Sequence, residues 1–497
     1  MVEQITTLIL AVVVVFFFLN KGKKSKNSKS TKLLPPGPKP LPIIGNLHQM
    51  SNPPFRCLRD LSSQHGPLMH LKLGERSAIV VSSPELAKQM LKDLDPCFAQ
   101  RPEYLASKIL WYTGSDIGFS PYGEYWRQMR KFCVNELLST KMVRLFQSIR
   151  EDESARLVDS LRESSGSSVN FTEKLFSLSS SITFRAAFGA VCADSKALMK
   201  MIEHTMEMVG GFEMLDLFPS SRIVAALSWR RMRLLKTMRC ELDAIMDDII
   251  DRHRRNRGRN SEFGGEDLVD VILRAQEEEQ LQFPIDNNNI KAVLYDVFTA
   301  GTDTSAATIE WTMVELLRHP RVMAKVQAEV RRAFIENPSF QQDNEVYDLK
   351  YLKLVIKESL RLHPPGPMLP RASIEEQVIN GYTIPVGAMV MVNNWAMQRD
   401  PSYWKDPERF EPERFETEDL NFVAGDCKYS PFGIGRRMCP GLTFGLAAVE
   451  SALIQLLYNF DWKLPAGLRA QDLDMTENVG LTATRKQNLF VVVTPYK

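Results

Sequence analysis

Pro431-Phe432-Gly433-Ile434-Gly435-Arg436-Arg437-Met438-Cys439-Pro440-Gly441 runs directly into Leu442–Leu457, an apolar stretch compatible with helix. Glycine at 433 and 435 permits tight backbone turns and leaves room for a flat ring to lie close, and Gly441 lets a helix begin beside the cysteine. Amide donors at that helix start and the adjacent arginines would stabilise a thiolate. A lone cysteine is most often a small buried hydrophobe. Here glycines, arginines and a helix start coincide around one sulfur.

The other six cysteines, at 57, 97, 133, 192, 240 and 427, form no CxxC pair and no Cys/His spacing. That argues against a zinc site, and an odd total of seven argues against a disulfide scaffold and for reduced cytosolic thiols. With 497 residues, 44% hydrophobic and 25% charged, the chain has the composition of a globular protein rather than a disordered, collagenous or multi-span one. Its net charge of +2 is built from interleaved acids and bases, such as Arg331, Glu336, Lys357 and Glu358, which gives no support to nucleic acid binding.

The amino terminus differs in kind. Ile5 to Leu19 is uncharged and dominated by Leu, Val, Ile and Phe, and with its flanks approaches a bilayer span of roughly 17–25 residues. A cleaved signal peptide is the competing reading; against it, Glu3 stands where a basic region is expected and Phe16-Phe17-Phe18-Leu19 offers no small-x-small cleavage site. Lys21, Lys23, Lys24, Lys26, Lys29 and Lys32 follow, which the positive-inside rule keeps in the cytosol. Pro35-Pro36-Gly37-Pro38-Lys39-Pro40-Leu41-Pro42 then forms a stiff, extended strut. The expected organisation is an anchor over 1–20, a basic and proline-rich linker over 21–42, and one domain over 43–497.

Within that domain helical periodicity dominates. Lys141–Leu161, Arg230–Arg254, Asn288–His319 and Arg321–Phe334 place apolar residues three and four apart. Ala78–Val81, Val378–Ile384 and Leu489–Val493 are the strand candidates, and Asn256–Gly265 reads as an exposed loop. No fixed-period repeat is visible. The fold expected is mainly α with a minor β part.

The string Phe432, Gly435, Arg437, Cys439, Gly441 matches the signature Phe-x-x-Gly-x-Arg-x-Cys-x-Gly. It resembles the heme-binding loop of cytochrome P-450 enzymes, and the resemblance extends over essentially the whole chain, most of all to plant A-type enzymes of family 71. It implies the cytochrome P-450 fold around a buried heme b, with Cys439 as axial ligand to the iron, preceded by one transmembrane helix in the endoplasmic reticulum membrane. Thiolate ligation pushes electron density onto iron and favours O–O cleavage.

Other segments resemble further parts of that family. Ala300-Gly301-Thr302-Asp303-Thr304-Ser305 is similar to its oxygen-activation motif, where the helix is locally opened beside the heme. The resemblance places Ala300 at the cofactor, has Thr304 steady bound dioxygen, and has Asp303, with water, deliver protons. Without Cys439 the same cluster would read as a helix cap. Glu358 and Arg361 lie three apart on a helix face, and Trp404–Phe415 resembles the region that completes a Glu-Arg-Arg cluster; of two Pro-Glu-Arg-Phe copies, the spacing selects Arg414 over Arg409. Its implied role is to hold the cysteine loop. Trp126 and Arg130 resemble the Trp-x-x-x-Arg pair at a heme propionate, with Arg371 and Arg437 as further propionate ligands. Ala372 stands where close relatives often have Glu.

By the same resemblance the substrate pocket draws on Leu110, Trp111, Phe212, Met214, Phe298, Met368 and Leu481, and on the segment starting at Val479. Such residues favour a lipophilic substrate. A terpenoid is the first expectation, with an alkaloid, phenolic or oxime as alternatives. No Gly-x-Gly-x-x-Gly fingerprint follows a strand, so electrons from NADPH must come through a separate NADPH-cytochrome reductase, with cytochrome b5 as a second donor. Lys131, Lys141, Arg144 and Arg436 are the expected docking cations. A heme-thiolate isomerase or dehydratase that uses no dioxygen is the rival reading, against which the Asp303-Thr304 pair stands.

Overall fold

The computed structural model describes residues 33–51, 53–189, 195–208, 213–256, 264–336, 349–417, 420–422, 427–478 and 480–496. The expected anchor, the lysine run, Phe212 and Val479 lie outside the described residues.

Helix dominates, as the periodicity predicts. The longest element is a central helix, Asn287–Arg318, which the sequence places at Asn288–His319. It starts at a capping box in which Asp286 accepts from the Asn289 amide at 2.9 Å and Asn289 Oδ1 accepts from the Asp286 amide at 2.9 Å. Most of its residues are buried on every side, which explains why its apolar pattern wraps around the helix. It packs against the helix Phe171–Phe188 where a Cβ on Gly301 would lie 3.1 Å from both Cγ2 and Oγ1 of Thr183, so glycine there permits the close approach. On another side it meets the helix Leu442–Asn459 that follows Cys439.

The stretch Lys141–Leu161 is two helices, Thr140–Leu145 and Gln147–Glu163, rather than one. The break falls at Phe146, fully buried and edge-on to Phe444 at 6.3 Å, and Arg150 Nη1 donates to the Val143 carbonyl at 2.8 Å. A tertiary contact and a side-chain bond replace the helical bonds lost at the break.

The β part comprises β1 Leu68–Leu73, β2 Arg76–Val81, β3 Ser168–Asn170, β4 Met368–Ala372, β5 Gln377–Ile379, β6 Tyr382–Ile384, β7 Met389–Asn393, β8 Phe460–Lys463 and β9 Phe490–Pro495. They form a four-stranded sheet in the order β1-β2-β7-β4, a three-stranded sheet β3-β9-β8 and the hairpin β5-β6. Val378–Ile384, read above as one strand, is that hairpin: Asn380 and Gly381 both take positive φ, 49° and 80°, the turn such a pair favours. Only β2 and β7 run parallel, with Ala78 opposite Met389. Antiparallel β4 puts Arg371 opposite Val390, at the edge of the sheet that faces the cysteine loop.

Candidate active site

The cysteine loop is fixed by short backbone bonds. Gly433 N donates to Ser430 O at 2.9 Å, Met438 N to Gly435 O at 3.0 Å and Cys439 N to Phe432 O at 2.8 Å. Gly433 and Gly435 take φ of 84° and 73°. A Cβ on Gly435 would fall 2.1 Å from the Leu91 carbonyl, so this glycine makes room for neighbouring backbone, not for a ring as the sequence suggests. Asp95 Oδ2 accepts from the Arg436 amide at 2.7 Å and ties the loop to the same neighbour. Phe432 stands edge-on to Phe422 at 5.3 Å.

The Cys439 sulfur has solvent-sized space against it although protein surrounds it, so it faces an internal space. Burial raises the thiol, while the Gly441 amide and the Arg130 guanidinium pull it back toward thiolate. The central helix shows the matching gap. Tyr295–Thr299 and Ser305–Leu316 are buried, yet Ala300 is exposed and Gly301, Asp303 and Thr304 are half-buried. This open turn lies next to the Leu442–Asn459 helix, whose Phe444 and Gly445 approach Gly301 and Ser305. Thr304 Oγ1 donates to the Ala300 carbonyl at 2.6 Å. The helix runs unbroken through this turn, where the resemblance implied a local opening.

Four arginines converge beside the loop. Arg371 is 2% exposed; its Nη1 donates to Pro370 O at 2.9 Å and its Nη2 to Ile434 O at 3.3 Å, while its Nε is buried without an acceptor. Arg437 holds the carbonyls of Ala99 at 2.8 Å and Ser120 at 2.6 Å. Arg130 Nη2 donates to Met438 O. Arg101 holds Gly118 O at 2.8 Å and Pro370 O at 2.5 Å. Burial, then mutual repulsion among these groups, presses Arg371 far down, and burial pushes Arg101 down to about 10 and Arg437 to about 9. Guanidinium does not give up its proton at neutral pH, so the cluster calls for anionic partners. A planar ring with two carboxylates fits it, and a thiolate facing an internal space fits that ring's iron.

Arg101 was not anticipated; its position before Pro102 is the only mark it leaves in the sequence. Trp126 lies among these arginines. Its indole N–H donates to Ile117 O at 3.0 Å, and its ring lies between Arg437 at 4.2 Å and Arg130 at 5.4 Å, so it orients the arginines.

Glu358 is fully buried between Arg361, with Nε at 2.7 Å and Nη2 at 3.0 Å, and Arg414, with Nε at 2.9 Å. Arg409 joins only through its carbonyl, which accepts from Arg361 at 3.2 Å and Arg414 at 3.1 Å. The cluster also binds Gln398 O, Pro407 O and the Glu411 amide. It thus organises the segment before the cysteine loop. Contact with the loop runs through Trp404 and Tyr429, and through Asn394, whose Oδ1 accepts from Ser430 Oγ at 2.8 Å.

Of the expected pocket residues, Met368 and Leu481 are half-buried, whereas Leu110, Trp111 and Phe298 are packed in the core and Met214 is exposed at 42%. Trp111 rests on Phe119 at 5.0 Å and Tyr295 at 5.1 Å, and Phe298 on Phe184 at 5.7 Å.

A helical fold that sets a cysteine loop against an open turn of its central helix is that of the cytochromes P450, and the chain belongs to this family, whose model matches residues 35–491. It is a cytochrome P450 monooxygenase of the family 71 kind. The chain is 52% identical to premnaspirodiene oxygenase of Hyoscyamus muticus, over 97% of this chain and 96% of that one. It is 50% identical to 5-epiaristolochene 1,3-dihydroxylase of Nicotiana tabacum, again over 97% and 96%. Its fold is similar to that of a zebra fish cytochrome P450 solved with abiraterone, with a TM-score of 0.74 at 23% identity, covering 90% of this chain and all of that one.

Proposed function

We propose that the protein is a heme-thiolate monooxygenase that uses dioxygen and NADPH to oxidise a terpenoid. The observation that carries this reading is the Cys439 thiol facing an internal space, with the central helix open at the exposed Ala300 and the half-buried Thr304. The relatives named for premnaspirodiene and 5-epiaristolochene support a terpenoid over an alkaloid, phenolic or oxime. Cys439 would ligate the iron, Phe432 and Ala300 would contact the ring, and Arg101, Arg130, Arg371 and Arg437, with Trp126 orienting them, would hold its propionates. When bound, the heme supplies the activation of dioxygen.

The chain's own part is to position and to move protons. The Thr304 hydroxyl spends its proton on the Ala300 carbonyl, so Oγ1 keeps lone pairs that would accept from a donor bound in the space. Asp303, one residue earlier, is the proton donor assigned to the same turn. Thr304→Ala should keep heme and substrate binding but lower product formed per NADPH consumed by about tenfold or more. Unchanged coupling in that variant would remove Thr304 from the mechanism.

Electrons are assigned to an NADPH-cytochrome reductase, with cytochrome b5 as a second donor. Lys131, Lys141, Arg144 and Arg436 are all exposed, which suits an acidic partner. Lys131→Glu with Lys141→Glu should slow reduction and flatten its dependence on salt, measured by stopped-flow; wild-type reduction rates would place the partner elsewhere.

The anchor over 1–20, the linker over 21–42 and an endoplasmic reticulum location with the domain over 43–497 in the cytosol complete the proposal. Ile223, Leu227, Trp229 and Leu234 are exposed, and Val224 in the same stretch packs against the same core cluster as Leu47 and Met50 near the start of the domain. That side is where an anchor would hold the protein to a membrane. Titrating the heme Soret band with terpenoids, alkaloids, phenolics and oximes tests the substrate class; a saturable spin shift confined to one of the other classes would discard the terpenoid.

A further inference from the structure

The loop from Trp111 to Ser120 meets the central helix at Tyr295 and Asp296, one turn before its open turn, and side chains hold its backbone. Its carbonyls go to donors: Gly118 O to Arg101, Ser120 O to Arg437 and Ile117 O to Trp126. Its amides go to acids. Asp296 Oδ2 accepts from Ile117 N at 2.7 Å and Gly118 N at 3.0 Å, and Asp116 Oδ2 from Phe119 N at 2.6 Å. Tyr112, Thr113 and Gly114 have φ of 54°, 56° and 87°, so the loop starts on a turn that surrounding bonds must maintain.

Two observations single out the acids. A Cβ on Gly118 would lie 3.1 Å from Asp296 Oδ1 and 3.5 Å from Asp116 Oδ2, so both carboxyls flank one glycine with no side chain between them. Asp116 is fully buried and its Oδ1 meets no donor. An unpartnered carboxylate oxygen next to a second carboxylate is strongly disfavoured in a protein interior. Asp296 also lies one turn before Ala300 and two before Thr304, on the same helix face.

We propose that one of the buried carboxyls of Asp116 and Asp296 is held protonated, and that the two act as a positioning pair that clasps the Trp111–Ser120 loop to the central helix, setting how firmly the wall of the substrate pocket is closed. This rests on the reading of the open turn as the floor of that pocket. Burial raises Asp296 to about 6 against the Ile117 and Gly118 amides and Arg101, and burial followed by the Asp296 charge raises Asp116 well above the carboxylate range. The other titratable groups facing the pair are Arg101 and Arg437, which stay charged, and Tyr125 and Cys133, which burial keeps neutral. The raised carboxyls bind their proton more tightly in the closed loop than in an open, solvated one. The clasp is therefore complete at low pH and weakens as pH rises through about 6 and beyond.

The test uses heme-loaded, full-chain protein at about pH 6 and about pH 9. Hydrogen exchange of the peptide spanning 111–122, corrected for intrinsic rates, reads the clasp directly. Wild-type protection of the Ile117, Gly118 and Phe119 amides should fall by about tenfold or more at the higher pH. The Kd for a heme-binding phenylimidazole should rise in parallel. Asp116→Asn, which keeps an acceptor for Phe119 and supplies a permanent donor where Oδ1 now stands, should hold both values nearly constant. Wild-type protection that does not change with pH, or an Asp116→Asn profile that follows the wild type, overturns the proposal. If the variant takes up no heme, the wild-type profile decides alone. Failure of the terpenoid reading leaves both readouts intact, because neither uses a terpenoid.

Discussion

Cys439→Ala should yield a folded chain with no thiolate-type spectrum in the reduced, CO-bound state and no turnover. The loop bonds around residue 439 are backbone bonds, from Cys439 N to Phe432 O and from Met438 N to Gly435 O, and alanine keeps both. Only the sulfur is lost. Of the other described cysteines, Cys133 and Cys427 are buried in core clusters, Cys57 and Cys97 are bonded to Gln49 O and Glu375, and Cys240 is exposed on the helix Trp229–Arg255, outside the cysteine loop. The measurement is heme content and the CO difference spectrum of purified protein, with circular dichroism as the check on folding. A thiolate-type spectrum that survives in the variant would remove Cys439 from the site altogether.

Glu358→Gln carries the largest expected loss of stability, about 3–5 kcal/mol. The carboxylate is fully buried and is the counter-ion of two guanidiniums, Arg361 and Arg414. Glutamine keeps the shape but removes the charge, leaving Arg361, itself fully buried, without compensation. For a domain whose net stability is about 5–15 kcal/mol, that is a large share. Because the cluster organises 398–411 and, through Asn394 and Tyr429, the cysteine loop, heme should be released at lower denaturant than in the wild type. Arg414→Ala should be milder, since Glu358 then keeps Arg361. Guanidinium titration followed by circular dichroism and the Soret band measures both; a change below about 1 kcal/mol in Glu358→Gln would mean that the pair contributes little to stability.

Much of the fold was legible because periodicity is a local property. The central helix, the helix Trp229–Arg255 and the helix Pro320–Glu336 all fall within a residue or two of their sequence limits. What failed had one local and one distant cause. The Asn380-Gly381 turn inside a β-branched run was a visible signal that the single-strand reading overlooked. The break at Phe146 left none, since it depends on Phe444, far away in the chain.

For the proposed site, the sequence by itself marked the groups that chemistry favours by type and spacing, Cys439 in its glycine-arginine loop and the Thr304 turn, and it selected Arg414 over Arg409 as the partner of Glu358 by its spacing from Trp404 and Phe410. Tertiary structure alone decided which partners those groups meet. It brought Arg101 beside Arg371 and Arg437, turned the Trp126 indole toward Ile117, pressed Gly435 against Leu91, and set Asp116 across Gly118 from Asp296. It also made Leu442–Asn459, apolar enough by composition to cross a membrane, a packed helix of the core. The physical reason is that burial, desolvation and charge pairing are properties of a place in three dimensions, and residues far apart in the chain carry no mark of sharing one.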